Sequence, residues 1–344
     1  MSPLENQPQT PTPPTLTRWY IDTRPLTAST PTLPLLTTLR PTDQSSIQKY
    51  YHLKDKHMSL ASSLLKYLFI HRTCRVPWSE IIISRTPDPH RRPCYIPPPQ
   101  SSSSETAGEG QSTRIEFNVS HQASMVALVG TVVPPVVVSG DDATGKREGK
   151  GKPEVGVDIT CVNERRPGET RSVAALREYV DIFGEVFSAS EMEDMKRSGG
   201  ATAGGNTADD EAADLVEYGY RLFYTYWALK EAYIKMTGEA LLAPWLRELE
   251  FSDVVAPGAE EGEGRFGEPY CGVKTSIYKQ AVEDVRIEVV ALEKDYLFAT
   301  AARGDGVGAG SRGGGGEDSW MPFRRLDIER DIRPCAMGLC DCLS

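Results

Sequence analysis

A chain of 344 residues has room for two ordinary domains, and 25 Pro with 30 Gly at 39% apolar content leave much of it to loops. The net charge of −10 divides into +4 over residues 1–150 (16 Lys+Arg, 12 Asp+Glu) and −14 over residues 151–344 (22 against 36), a balance that argues against nucleic acid and suits an anionic ligand at the junction. No apolar run reaches the roughly 18 residues a membrane span needs, and the Pro/Thr-rich start has neither the early basic residues nor the apolar core of a secretory signal, so a cytoplasmic protein is expected.

In chain order, residues 1–17 read as a disordered tail. A helix is predicted over 54–71, an extended stretch over 81–84, and strands over 114–119 and 125–133. Residues 97–113 and 139–153 are rich in Ser, Pro, Gly or acid and read as surface insertions. A second block opens with a strand over 154–159 and a helical stretch over 171–184. Ser188 and Glu191 then have the spacing of a capping box, in which hydroxyl and carboxylate satisfy free amides at a helix start. After an insertion at 197–213, a long helix over 213–237 is stopped by Gly238. Strands over 249–251, 270–278, 285–292 and 296–301 close the block, with an acid-rich insertion at 256–267. A Gly-rich linker over 303–316 leads to a tail. Helices followed by strands, twice over, predict an α+β protein with an N-terminal subdomain at 18–152, a C-terminal subdomain at 153–302, and a linker and tail at 303–344.

The seven cysteines form no disulfide framework. Cys335, Cys340 and Cys342 offer three thiolates near the end of the chain, but a structural zinc site wants four ligands. No fourth lies nearby in sequence, so reduced thiols are the expected state.

Three segments could carry chemistry. On the long helix, Trp227, Glu231 and Lys235 recur every four residues and share a face, while Leu222, Tyr226, Leu229, Tyr233 and Met236 mark the core stripe. Glu231 falls about 200° from Leu229 and from Tyr233, so it points into solvent or a cleft. A solvated Glu–Lys pair is the plain alternative. Val155-Gly156-Val157-Asp158-Ile159 is an apolar strand displaying a carboxylate, and Phe117-Asn118-Val119-Ser120-His121 is a strand presenting Ser and His. Taken singly, each suits turn chemistry or a satisfied surface residue.

Together, in this order, the three segments closely resemble the large, surfactin-type 4′-phosphopantetheinyl transferases. That family carries aromatic-Asn-Ile/Leu-Ser-His, apolar-Gly-apolar-Asp and Trp-x-x-Lys-Glu-Ala/Ser-x-x-Lys. Here Trp227, Lys230, Glu231, Ala232 and Lys235 match the last pattern without a gap. The stretch from Tyr51 to His57, with Lys54, resembles the family's first-domain helix start. Pro77-Trp78 and Arg85-Thr86 through Arg91-Arg92-Pro93 resemble the run before the Ser-His segment, and Arg330 to Cys335 is similar to fungal tails. The match spans roughly residues 18–301 apart from the insertions and identifies the chain as a fungal, broad-range member.

The resemblance implies two similar α/β subdomains in pseudo-twofold arrangement with coenzyme A in the cleft between them. It implies transfer of the phosphopantetheine arm to a serine of acyl or peptidyl carrier domains, releasing adenosine 3′,5′-bisphosphate. By the same carry-over, Asp158 and Glu231 hold Mg²⁺. Lys235 offsets charge on the leaving bisphosphate, and Glu231 accepts the serine proton. His121, Ser120, Asn118 and Lys230 contact the coenzyme, while Lys54, Arg85, Arg91 and Arg92 bind its 3′-phosphate. Thr160 stands where many relatives place a second acid, so water is expected in that coordination place. Lys54 stands where some relatives have Arg, which keeps the charge and loses the fork. The carriers implied are those of fatty acid, polyketide or nonribosomal peptide synthases or of aminoadipate reductase, and a monomer is expected. The rival readings are a non-catalytic coenzyme A or carrier binder and a Mg²⁺-dependent coenzyme A pyrophosphatase.

Overall fold

A computed structural model describes residues 15–88, 90–97, 113–134, 151–163, 172–198, 209–239, 243–258, 260–311 and 318–343. Most of the tail at 1–17 and of the insertions at 97–113, 139–153 and 197–213 therefore lies outside the described residues. The acid-rich stretch at 256–267 is largely described and runs without helix or extended strand.

Two antiparallel sheets, each backed by one long helix, make the frame. Strand β1 (Thr17–Asp22) leads through short helices to α1 (Leu53–Cys74). A small hairpin follows, β2 (Ile83–Arg85) with β3 (Pro93–Tyr95), and then the long hairpin β4 (Arg114–Gln122) and β5 (Met125–Val133). These strands pair in the order β1–β5–β4. The second block repeats this connection. Strand β6 (Glu154–Cys161) leads through α2 (Val173–Asp181) and α3 (Ala189–Ser198) to the 29-residue α4 (Asp209–Thr237). After the short strand β7 (Leu249–Ser252) comes the hairpin β8 (Val285–Leu292) and β9 (Tyr296–Arg303), giving the order β6–β9–β8. In both blocks the last strand of the chain segment is central.

The pattern of burial explains the packing. Every residue of β6 after Glu154 is buried, so the strand has core on both faces. Val155, Val157 and Ile159 meet Tyr20, Met125, Ala127 and Val129 of the other sheet, forming an inter-sheet core with Phe298 and Trp320. The alternate residues face α4, where Gly156 permits close approach: a Cβ there would run into the Ala232 carbonyl oxygen and the Met236 amide. Leu222, Tyr226, Leu229, Tyr233 and Met236 are buried along α4 as the periodicity predicts, and Phe223 joins them.

Sequence and structure part company at both ends of the chain. The N-terminal tail gives way to structure before residue 18, because Leu16 is fully buried and bridges Trp320. The C-terminal segment is built into the first block. Its strand β10 (Arg324–Arg325) pairs parallel with β1, and Leu326, Ile328 and Ile332 enter the core under α1. It ends in the short helix α5 (Arg333–Ala336). Among the described residues no helix is long and apolar enough to cross a membrane.

Candidate active site

The site grows from the free edge of β6. Strand β9 pairs with one side of β6, and among the described residues no strand flanks the other. Unpaired amides there would carry a desolvation cost. Side chains of β4 take the place of a strand: Val157, Ile159 and Cys161 donate their N–H groups to Asn118 Oδ1 (3.3 Å), Ser120 Oγ (3.2 Å) and Gln122 Oε1 (3.2 Å). Asn118, Ser120 and Gln122 alternate along β4, so one face of that strand is polar because it completes the neighbouring sheet. The other face sends Phe117 and Val119 under α1. The Asn-Val-Ser-His-Gln run is therefore the seam between the two blocks.

At the middle of this seam three charged groups meet. Lys235 Nζ donates to Asp158 Oδ1 at 2.6 Å and to Ser120 Oγ at 2.9 Å, and it lies 4.0 Å from Glu231 Oε2. Ser120 Oγ in turn donates to Asp158 Oδ1 at 3.1 Å. Thr160 Oγ1 donates to Asp158 Oδ2 at 2.8 Å, so the residue standing in place of an acid orients the remaining one. Burial, and the nearby charge of Asp158, hold the Glu231 carboxyl above the usual range, with Lys235 drawing it back. Two carboxylates held close in a half-enclosed place, with one ammonium between them, suit a hard divalent cation, which takes one or two protein carboxylates and completes its shell with water and phosphate oxygens.

His121 lies at the exposed end of β4, on the α1 side. Surrounding protein, then the ammonium of Lys235, push its pKa below the usual histidine range, so it is a neutral donor at pH 7. The basic wall near it includes a residue the sequence reading missed. Lys66 of α1 is half-buried, and burial with the nearby Arg85 pushes its pKa down to about 8 against the pull of Asp43. A single Lys inside the apolar run Leu64 to Ile70 was the available signal. Lys54 is exposed in the first turn of α1. Arg91 is exposed in a turn at positive φ, 3.7 Å from Asp88, and its carbonyl oxygen accepts from Arg85 Nη1 at 3.0 Å.

Two expected coenzyme contacts are corrected. Lys230 is 1% exposed and faces the core, where it pairs with Glu191 at 2.9 Å and donates to the carbonyls of Leu246 and Leu249. The fifth residue before Lys235 falls on the opposite side of the helix, so Lys230 cannot share its cleft. Its partner Glu191 also closes the capping box with Ser188 and accepts from the Phe251 amide. Arg92 is likewise committed to the protein. It donates to the carbonyls of Met236 (3.1 Å) and Val155 (3.2 Å), pairs with Glu116 at 2.9 Å, and lies against Gly238, whose φ is +84°. The small hairpin thus caps the C-terminal carbonyls of α4, where a cation is favoured. A cavity of about 220 Å³ opens beside Arg92, Tyr95, Arg114 and Lys152 and does not reach Asp158 or Glu231.

Comparison with known proteins agrees along the whole chain. The model of the 4′-phosphopantetheinyl transferase N-terminal domain matches residues 28–133, and that of the 4′-phosphopantetheinyl transferase superfamily matches residues 154–290. The chain is 66% identical to 4′-phosphopantetheinyl transferase NpgA of Emericella nidulans, with 97% of each covered. It is 54% identical to 4′-phosphopantetheinyl transferase A of Aspergillus fumigatus, with 96% of each covered. Over 92% of this chain and 96% of the other, it is 32% identical to a 4′-phosphopantetheinyl transferase of Aureobasidium melanogenum.

Proposed function

The chain belongs to the 4′-phosphopantetheinyl transferase superfamily, and from that premise we propose that its phosphopantetheinylation of carrier proteins is run by Asp158, Glu231, Lys235, Ser120 and His121 at the seam between β4, β6 and α4. The observation that carries this reading is the convergence of Asp158, Glu231 and Ser120 on the Lys235 ammonium. The donor pair Asp158 and Glu231 would hold Mg²⁺, which when bound supplies positive charge to the pyrophosphate oxygens of coenzyme A.

The serine hydroxyl of the carrier attacks the β-phosphorus. The bond to the departing adenosine 3′,5′-bisphosphate breaks as the new phosphoester forms, and the serine proton passes to Glu231. Burial raises the Glu231 pKa above that of a solvated carboxylate, the direction that strengthens a base. Lys235, fixed by Ser120 and Asp158, offsets charge on the leaving bisphosphate. Thr160 holds the Asp158 carboxylate in one orientation. Neutral His121 donates a ring N–H to a coenzyme oxygen, while Lys66, Arg85 and Lys54 form the basic wall for the 3′-phosphate.

The proposal extends to a pseudo-twofold relation of the two blocks, supported by their shared strand–helix–hairpin order, to a cytoplasmic monomer, and to carriers of fatty acid, polyketide and nonribosomal peptide synthases and of aminoadipate reductase. The test incubates enzyme, coenzyme A, Mg²⁺ and each apo-carrier, then weighs the carrier. A gain of one phosphopantetheine that disappears on removing the cation supports the site. Transfer at an unchanged rate after exhaustive chelation overturns the role of the two acids.

A further inference from the structure

The three C-terminal cysteines do have a fourth neighbour, supplied by α1. His71, Cys335, Cys340 and Cys342 each offer one ligand atom, and all four atoms lie within 4.8 Å of one another. The fourth ligand that does not lie near the cysteines in sequence thus lies near them in space. We propose that these four residues form a structural zinc site that staples the C-terminal segment to α1.

The separations are compact enough to close round one ion. With zinc–sulfur bonds of about 2.3 Å, tetrahedral ligands have sulfur–sulfur edges of about 3.8 Å. Cys335 Sγ and Cys342 Sγ are 3.7 Å apart, and His71 Nε2 is 3.1 Å from Cys340 Sγ. The histidine is also set in the right tautomer. Its Nδ1 lies 2.7 Å from the Val76 carbonyl oxygen. A carbonyl only accepts, so Nδ1 carries the proton and Nε2 turns its lone pair toward the thiols, the outer-shell arrangement typical of histidine ligands. The ring is 1% exposed. Three thiolates, one imidazole and Zn²⁺ leave a net charge of −1, and a cation stands beside it. Arg72 Nη2 donates to Cys335 Sγ at 3.8 Å and to the Asp331 carbonyl at 2.9 Å.

The backbone is shaped to bring the ligands round. Met337 donates back to Arg333, Gly338 to Cys335 and Leu339 to Pro334. Gly338, at φ +68° with nothing within 4 Å of the place a Cβ would occupy, supplies the reversal that folds Cys340 and Cys342 over Cys335. Soft thiolates with imidazole in a four-coordinate site select zinc over the hard cations suited to the carboxylate pair. Binding releases the thiol protons and holds in place a segment that supplies β10 and the core residues Leu326, Ile328 and Ile332.

The full chain, purified under reducing conditions without added metal, should carry about one zinc per molecule by elemental analysis. Cys340→Ser combined with Cys342→Ser, both half-buried positions, should lower zinc content at least tenfold and lower the melting temperature. Cys94→Ser should leave both unchanged. A second measurement needs no variant: metal-free protein titrated with Co²⁺ should develop thiolate-to-cobalt absorption that saturates at one equivalent and is abolished by Zn²⁺. Wild-type zinc no higher than in the double variant, absence of that absorption, or a Cys335–Cys342 disulfide in metal-free protein would each overturn the proposal. None of these readouts depends on the transfer reaction.

Discussion

The two faces of α4 carry the same chemistry and put it to opposite uses. On one face Lys230 and Glu191 are 1% and 0% exposed, and their charges are consumed by a helix cap, two carbonyls and a strand amide. On the other, Lys235 and Asp158 are 27% and 8% exposed, and Glu231 at 15% keeps its carboxylate free of any hydrogen bond from the backbone. Five residues of helical phase separate a lysine that holds the fold from one that serves the reaction. Residue type decides neither role; what decides it is whether the donors around each charge are already satisfied.

The sharpest break between the faces is Glu231→Gln. Losing the charge should cost transfer about 10³-fold or more, in the range lost with a general base. It should not lower the melting temperature. The sign follows from the raised pKa: folding favours the protonated form, so the contribution of Glu231 to stability is full below the ordinary carboxylate range and is lost as pH rises through its folded value. At neutral pH the charge is a burden that Gln removes. A variant that melts well below the parent would place Glu231 among the structural residues.

Lys230→Met is the mirror experiment. Leaving Glu191 buried without its partner should destabilise the protein by about 3–5 kcal/mol. Activity per folded molecule should stay within about twofold, because the Lys230 ammonium is buried against Glu191 on the side of α4 away from Lys235. Adding Glu191→Gln should recover part of the loss, since it removes the unpaired buried charge and its one carboxamide oxygen still accepts from one of the two amides, Ser188 or Phe251. A selective rise in KM for coenzyme A with stability unchanged would restore the role first expected of Lys230.

Gly156→Ala probes the contact between strand and helix that both faces depend on. The added methyl meets backbone atoms of Ala232 and Met236, which cannot swing aside as a side chain can. A cost of about 1–3 kcal/mol is expected, together with slower transfer because α4 carries Glu231 away from Asp158. Unfolding in denaturant and carrier mass together test it. Full stability with full activity would mean that the close approach is not required.

Much of this was legible in the sequence where one periodicity governed. The helical rhythm of α4 marked its core stripe, and β5 and β8 lie where strands were expected, at 125–133 and 285–292. Asp158 and Glu231 stood out because a charge must be explained in an otherwise apolar strand or beside a core stripe. What could not be read was anything set by contacts between distant segments. Lys230 looked like its neighbour Lys235 until the position of Glu191 was known. Arg92 looked free until the end of α4 was placed beside it. The C-terminal cysteines lacked a fourth ligand because His71 is 269 positions from Cys340. The strand at residues 17–22 was lost in a Pro/Thr-rich context that favours a disordered reading.

The smallest expected effect concerns the basic wall facing the reacting acids. His121 is neutral at pH 7, with its pKa pushed below the ordinary histidine range by surrounding protein and by Lys235. Protonation is disfavoured in the folded state, so the contribution of His121 to stability is constant at high pH and is lost as pH falls below the unfolded histidine range. As a neutral donor it contributes one hydrogen bond to the coenzyme, worth about 0.5–1.5 kcal/mol. His121→Ala should therefore raise KM for coenzyme A by about three- to tenfold, with kcat changed less than twofold. Lys66→Met should do the same more steeply at pH 7 than at pH 9, because near pH 8 its ammonium loses its proton and the parent enzyme loses that charge as well. A ratio of KM values that stays constant across that interval would take Lys66 out of the wall and return it to the fold.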